Sequence, residues 1–481
     1  RNHIEGAIVM KKKNILFLFA DDMRYDTIAA LGNPEIKTPN LDELVRSGTS
    51  FINAHIPGGS FAAVCMPSRA MLNTGRGLNH LVDLGHIIPE EHTCLGEHLR
   101  KNGYITFGTG KWHNDYKSYA RSFTHGAEIF FGGMYDHWKV PVYNFDPTGE
   151  YPNVVHDVMD PGYDNLMVPR RCDHSHLGVH STDLFADAAC EFIRTYNSDK
   201  PFYMYVAYMA PHDPRSMPEE YLDMYNLDEI SLPPNFYPEH PFDFGVREVR
   251  DEQLLKYPRD EKLVKENIRD YYAMISHLDA SVGRIVKTLK ESGMYDDTII
   301  IFSADNGLAV GQHGLLGKQS AYEHSIRVPF VIAGPGIPRN ETRDSYIYLM
   351  DIFPTLCDML GLDIPSSVEG ISFKSVIGNP EARTRDMLYA GYADKVRSIK
   401  DYTYKLIEYK CKDLRRTQLF KIDEDPWETN DLSKREDMQP IIHKLRAKLR
   451  EHAEKWDDFN SDEGKRFWTE YLTVEPDEWG F

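Results

Sequence analysis

The 481-residue sequence predicts an α/β fold. It has a large mixed, mostly parallel sheet sandwiched by helices over residues 11–380, then a smaller subdomain of antiparallel sheet plus helix over 381–481. Three observations carry this. Short apolar runs alternate with helical patterns from Lys13 to Ile364, the signature of βα units around a buried sheet. Several of the helical patterns end in glycine, the residue that most readily takes the left-handed conformation closing a helix. Beyond Pro380 the pattern changes to short alternating strands and a charged helix.

In chain order, the large region has strands predicted at 14–20, 105–108, 202–209, 298–303 and 329–332. Helices are predicted at 40–47, 95–102, 182–196, 264–292 and 350–360, with Gly48, Gly103, Gly293 and Gly361 as stops. Two irregular stretches, 114–180 and 211–258, are rich in Tyr, His, Gly, Pro and Asp, and insertions of that length usually shape a binding site. The C-terminal subdomain reads as strands at 387–391, 396–400, 404–409 and 418–423, closed by a helix at 439–456.

Composition excludes several function classes. With 74 acidic against 55 basic side chains the net charge is −19, the wrong sign for binding a phosphate backbone, so nucleic acid is not an expected partner. No apolar run approaches the roughly 20 residues of a membrane span. The six cysteines, Cys65, Cys94, Cys172, Cys190, Cys357 and Cys411, form no CxxC pair, which argues against a zinc ribbon or a disulfide scaffold. Residues 1–10 (RNHIEGAIVM) lack a start methionine and read as a mature terminus after cleavage or a cloning remnant.

Ligands of open parallel sheets bind beyond the carboxyl ends of the strands, and four such ends are polar here. ILFLFA runs into Asp21-Asp22, TIIIFSA into Asp305-Asn306-Gly307, YITFGTG into Lys111-Trp112-His113, and FYMYVAYMA into Pro211-His212-Asp213. Carboxylate and amide oxygens without a thiolate suit a hard cation, Ca²⁺ or Mg²⁺, better than Zn²⁺. Either acidic pair alone is equally a turn or a helix N-cap. Both together, with Lys-x-His and Pro-His at two further ends, point to a metal-assisted site.

The most specific feature is Cys65-Met66-Pro67-Ser68-Arg69. Pro67 suits a first helical turn, which places Cys65 just before a helix N-terminus, where backbone N–H groups favour an anion. The residues thus read as a partly activated thiol with Arg69 one turn away; a buried structural cysteine is the alternative. A second cluster, Cys172-Asp173-His174-Ser175-His176 with His180, has ligand types at close spacing and reads as pocket lining, with a second metal as the alternative.

Cys65–Arg69 with the downstream Thr74-Gly75-Arg76 resembles the signature of the type I, formylglycine-dependent sulfatases of the alkaline phosphatase-like superfamily. The other strand ends match that family in order: Asp21-Asp22, Gly110 to His113, Pro211-His212 and Asp305 to Gly307. Residues 312–329 (QHGLLGKQSAYEHSIRVP) resemble its lysine-bearing stretch and supply Lys318, and 418–432 resemble its tail, so the likeness spans 13–432.

The resemblance implies a Ca²⁺ held by Asp21, Asp22, Asp305, Asn306 and an oxygen of residue 65, with Cys65 converted to formylglycine. It implies that the aldehyde is hydrated to a geminal diol, that one hydroxyl attacks sulfur, and that deprotonation of the other releases sulfate. In the same reading Arg69 orients the diol, Lys111 and Lys318 contact the sulfate, His113 acts on the diol, His212 protonates the leaving oxygen and contacts substrate, and His313 contacts substrate. Taken singly, these lysines and histidines would be solvated or loop residues. The remaining histidines, including His3, His277 and His443, read as structural or surface residues.

The expected activity is hydrolysis of O-sulfate esters on a carbohydrate, a glycosaminoglycan-type or other polysaccharide fragment with uronate or hexose sulfate. A formylglycine-generating, sulfatase-maturing enzyme is the expected partner during biosynthesis. Sulfated glycans are mostly met outside the cytoplasm, so a periplasmic or secreted location is expected. Two alternatives are a phosphonate monoester or phosphodiester hydrolase with the same nucleophile, and a glycan-binding protein without turnover. Because charges beyond roughly 8–10 Å are screened, the negative net charge limits binding of long polyanions more than capture of one sulfate, which favours small or terminal substrates.

Overall fold

The computed structural model describes residues 12–61, 63–158 and 166–473; the 1–10 segment, and with it any reading of the terminus, lies outside them. The main sheet has eight strands: β1 (Asn14–Ala20), β2 (Gly48–Phe51), β3 (Ile105–Lys111), β4 (His125–Phe130), β5 (Phe202–Ala207), β6 (Thr298–Ala304), β7 (Phe330–Ala333) and β8 (Glu341–Arg343). Their spatial order is β8-β2-β7-β6-β1-β5-β3-β4. All neighbours are parallel except around β7, which runs antiparallel to both β6 and β2. The mixed, mostly parallel α/β class is therefore the observed one, and the strand expected at 329–332 is its reversed member.

Strand β1 lies at the centre, and its uninterrupted apolar sequence follows from burial on both faces. Ile15, Phe17 and Phe19 point into a core shared with helices α2 (Cys65–Thr74), α3 (Leu95–Lys101) and α6 (Ile352–Leu360). Leu16, Leu18 and Ala20 point the other way, against α1 (Pro39–Ser47), α4 (Ser181–Thr195) and α5 (Glu261–Glu291). Local signals set the helix ends: the Asp260 carboxylate accepts the Leu263 N–H at the start of α5, and Gly361, at φ +65°, stops α6.

The second sheet is an antiparallel meander of β9 (Leu388–Tyr392), β10 (Val396–Lys400), β11 (Tyr404–Cys411) and β12 (Leu414–Lys421), joined at β9 by the two-residue strand Gly58–Gly59. Tyr389, Ile399, Leu406 and Leu419 pack on α7 (Gln439–Lys455) and α8 (Asp462–Thr473). Ile407, Tyr409 and Phe420 face the other way and share the core of the main sheet.

The 114–180 stretch is less irregular than its sequence reads. It contains a short helix (Tyr116–Ser122), edge strand β4 and the hairpin Val154–Val158 with Met167–Arg171. HGAEIF carries too few alternating apolar residues to announce β4, which is fixed instead by pairing with β3.

Candidate active site

Four adjacent parallel strands end at one edge of the sheet, and their next residues meet there. The register of β1 with β6 sets Ala20 against Ala304, so Asp21-Asp22 and Asp305 emerge side by side. The Asp22 N–H donates to Asp305 Oδ1 at 3.0 Å, and Asp22 turns through a left-handed φ of +63°. Lys111 closes β3 and donates to Asp21. His212 follows β5 with Nε2 3.6 Å from Asp22 Oδ2.

Helix α2 brings the thiol. Cys65 is its first residue rather than the residue before it, and its Sγ lies 3.6 Å from Asp22 Oδ1. The Lys318 ammonium donates to that sulfur at 2.8 Å and to Asp22 Oδ1 at 2.5 Å. Arg69, one turn on, is wholly buried: Nε and Nη2 each lie 2.9 Å from Asp305 Oδ2, and Nη1 donates to the Lys111 carbonyl at 2.7 Å. Ser68 Oγ donates to the Asp305 carbonyl at 2.6 Å. Asn306 Nδ2 donates to Asp22 Oδ1 at 2.8 Å. His113 takes a φ of +68°, and a Cβ at position 133 would fall 2.8 Å from its Nε2, so Gly133 makes room for the ring.

Three buried carboxylates thus face three buried cations. Burial pushes the Asp305 carboxyl up to about 7, helped by Asp21 and opposed by Arg69. Burial also acts to raise Asp22, but Lys318, His212 and Lys111 outweigh it and hold that carboxyl well below the usual range. Burial lowers both histidines; Lys111 and Arg69 push His113 down further, while Asp22 partly offsets the effect on His212. Cys65 is pushed well above the ordinary thiol value by burial, which outweighs Lys318 and Lys111. Burial thus works against the partial activation expected of this thiol, and Lys318 and Lys111 work for it.

The carboxylate cluster fits a hard cation. Donor atoms of Asp21, Asp22, Cys65 and Asp305 lie within 4.8 Å of one another. Asp21 Oδ1 and Asn306 Oδ1 are buried without a hydrogen-bond partner, an arrangement that is unfavourable unless a further positive group meets these oxygens. Oxygen-rich ligands of this kind are those Ca²⁺ takes.

Cys65, His113, His212 and Lys318 open into a cavity of 510 Å³ whose walls include Phe61, Met66, Met134, Val249 and Arg250. That volume falls in the about 300–1,000 Å³ range of small-molecule sites. Arg250 is the part that sequence reading missed. It donates from Nη1 and Nη2 to the two Asp213 oxygens at 2.7 and 2.9 Å, and the Asp213 carbonyl lies 2.8 Å from His212 Nδ1. His137 braces the same turn, with Nε2 2.9 Å from the His212 carbonyl. Both come from the irregular stretches, where no periodicity or spacing marks them.

Two expected groupings are not assembled here. His313 lies outside the cavity: its ring stacks on Tyr322 at 3.8 Å, and it borders a separate space of 430 Å³ with Gln418 and Glu428. The 172–180 cluster does not line the cavity either. Cys172 is buried in the core, Asp173 accepts from Asn144 N and Asn153 Nδ2, and His180 caps α4 by accepting the Thr182 N–H.

The mixed α/β sheet thus gathers a thiol, three carboxylates and three cations at its strand ends. Residues 13–362 match the sulfatase family and residues 311–455 match a family described as N-sulphoglucosamine sulphohydrolase, C-terminal; the chain belongs to the sulfatase family and is a sulfuric ester hydrolase. It is 29% identical over 468 residues to an ulvan-active sulfatase of Formosa agariphila, covering 94% of this chain and 83% of that one. A solved structure in complex with its substrate D-glucosamine-2-N,6-O-disulfate superposes with a TM-score of 0.73 at 22% identity, covering 94% of this chain and 100% of the other. A phosphonate monoester hydrolase of Agrobacterium radiobacter shares the fold, with a TM-score of 0.68 at 22% identity over 91% of this chain and 96% of its own.

Proposed function

We propose that this chain hydrolyses O-sulfate esters of a sulfated carbohydrate, using residue 65 as formylglycine and a Ca²⁺ held by Asp21, Asp22, Asp305, Asn306 and an oxygen of residue 65. The observation that carries this reading is the meeting of Cys65 with three carboxylates and three cations directly behind the cavity wall that Cys65 and Lys318 line. Formylglycine supplies, when hydrated, a hydroxyl nucleophile with a second hydroxyl through which sulfate leaves. Bound Ca²⁺ supplies positive charge to the sulfate oxygens and acidifies a neighbouring hydroxyl.

The chain's own residues take complementary parts. Lys318, already in contact with residue 65, and Lys111 bind the sulfate oxygens. Arg69, locked onto Asp305 and the Lys111 carbonyl, orients the side chain of residue 65. His113, kept neutral by burial and the cations around it, accepts a proton from residue 65. His212 donates through Nε2 to the leaving oxygen as the imidazolium, the form that Asp22 favours against burial; its Nδ1–H is held by the Asp213 carbonyl, and the Asp213–Arg250 pair stands behind it. The two lysines and His212 are the substrate contacts of this reading. His313, bordering a different space, would contact only a substrate extending well beyond the cavity.

Cys65, Pro67, Ser68 and Arg69 are all buried, so a sulfatase-maturing enzyme must read them before the fold closes. The relatives' substrates support a sulfated sugar, and the cavity accommodates a monosaccharide or the end of a chain better than a long polyanion. A periplasmic or secreted location follows from where such glycans are met; among the described residues no helix is long and apolar enough to cross a membrane.

Protein carrying formylglycine and loaded with Ca²⁺ is expected to release sulfate from members of a defined panel of sulfated mono- and oligosaccharides, with Cys65→Ala as the blank. An untouched panel would overturn the reading and leave a glycan-binding protein. The phosphonate hydrolase fold neighbour motivates a second arm, paired aryl sulfate and aryl phosphonate esters, on which faster phosphonate turnover would favour that activity instead.

A further inference from the structure

Away from the cavity, on the edge strand of the main sheet where Ile129 is bridged to Tyr143, three metal-ligating side chains converge: Glu128, His174 and His176. Glu128 lies in edge strand β4, where the pairing with β3 slips by one residue between Thr109 and Gly110, so Glu128 has no partner in the register. Its φ is +49°, a left-handed conformation uncommon for glutamate, and a bulge of this kind redirects a side chain out of the ladder. His174 and His176 come from the other side of the insertion. Their backbone is pinned by a bridge to Val142, in which Val142 N donates to the His174 carbonyl at 2.9 Å and His174 N to the Val142 carbonyl at 3.2 Å.

Distances and chemistry both match a metal tripod. His174 Nε2 lies 2.9 Å from Glu128 Oε2, and His176 Nε2 lies 3.2 Å from Glu128 Oε1. The two imidazoles stand at 88° with centroids 5.0 Å apart, and the donor atoms of all three residues lie within 4.8 Å of one another. Around a tetrahedral zinc with bonds near 2.0–2.1 Å, ligand atoms sit about 3.3 Å apart. The two histidine–glutamate distances, each to a different carboxylate oxygen, are already close to that edge length, and one donor atom from each of the three residues lies within 4.8 Å of the others. Two imidazoles and one carboxylate select a borderline first-row cation over Ca²⁺.

We propose that Glu128, His174 and His176 form a second metal site, selective for Zn²⁺ or a similar first-row divalent cation, with water completing the coordination. The site joins edge strand β4 to the end of the 131–176 insertion. Gly133 and Met134 of that insertion wall the cavity, and His137 braces His212. Its role is that of a staple holding this wall, and it does not depend on which ester the cavity accepts.

The test is calorimetric titration of Zn²⁺ into chelator-stripped full-length Cys65→Ala protein in excess Ca²⁺, which removes the competing thiol and occupies the oxygen site. One equivalent of Zn²⁺ should bind and raise the thermal midpoint. Adding His174→Ala and His176→Ala should abolish both effects, and Glu128→Gln, which keeps the side chain's shape, should weaken binding by about tenfold or more. Co²⁺ in place of Zn²⁺ should give the visible absorption of a four-coordinate nitrogen and oxygen site, a readout that needs no further variant. Absence of Zn²⁺ binding in excess Ca²⁺, or an unchanged equivalent bound by the double-histidine variant, would overturn the proposal.

Discussion

The strand-end cluster and the charged cluster beneath the C-terminal sheet are built from the same materials and finished differently. In the second, Glu323 accepts from Lys400 at 2.8 Å and Lys405 at 3.0 Å, Lys405 also reaches Glu428 at 2.7 Å, and His55 lies 3.2 Å from Glu323 and 2.9 Å from Lys400. None of these side chains leaves a buried polar atom without a partner. At the strand ends Asp21 Oδ1, Asn306 Oδ1 and His113 Nδ1 are buried without one, and the group faces a cavity. A buried charge network that satisfies itself holds parts of a fold together; one that leaves donors and acceptors open toward a cavity is arranged for something that arrives later.

That contrast is sharpest in paired substitutions. Cys65→Ala should reduce sulfate release by at least about 10⁴-fold, the scale of losing a nucleophile, while leaving the thermal midpoint nearly unchanged. Lys405→Met should do the reverse. It takes from buried Glu428 its lysine partner and from Glu323 one of two, so unfolding in denaturant should show a loss of about 3–5 kcal/mol, with turnover per folded molecule preserved. If both variants lost stability equally, the distinction between the two clusters would collapse.

Cation removal is the next largest effect. Chelation should abolish turnover and Ca²⁺ should restore it, and Asp305→Asn should lower kcat/KM by about 10²-fold or more at any fixed Ca²⁺ concentration. Asp213→Asn, which loosens Arg250 behind His212, should lower kcat by about tenfold with a smaller change in KM.

Residue by residue, the smallest effect is on pH and stability. Burial lowers His55 and His180 to about 3 and His137 and His240 to about 4. The unfolded chain protonates these groups near 6.5 and the folded chain does not, so their contribution is present above pH 6.5 and is lost as pH falls toward 4. Each should contribute roughly 1–2 kcal/mol of destabilisation by pH 5, seen as a falling thermal midpoint. A midpoint flat from pH 7 to 5 would show that these histidines are not held neutral.

Much of the fold was legible because burial on both faces forces recognisable apolar runs. Strand β1 begins and ends where its sequence predicts, and α5 is marked by its length and its glycine stop, although it starts at Glu261, ahead of the expected 264. Elements fixed by partners rather than by their own pattern were not. β4 depends on β3, and the reversal of β7 on its neighbours, neither of which a local window contains. The same division runs through the site. Residues at the ends of apolar runs, such as Asp21 and Asp305, announce themselves, whereas Arg250 lies in a stretch without periodicity and meets Asp213 only in the folded chain. The resemblance placed His313 near the substrate, but stacking on Tyr322 places it beside another cavity, a contact that linear spacing does not encode.

The central claim is that residue 65 acts only after its thiol has been replaced, the thiolate being disfavoured by burial. The direct measurement prepares the protein with graded maturation, determines by peptide mass the fraction of residue 65 that has lost sulfur and gained an aldehyde, and records sulfate release from one sulfated sugar for each preparation. The account predicts activity proportional to that fraction, with a zero intercept. Full activity in a preparation whose residue 65 is entirely cysteine would contradict it.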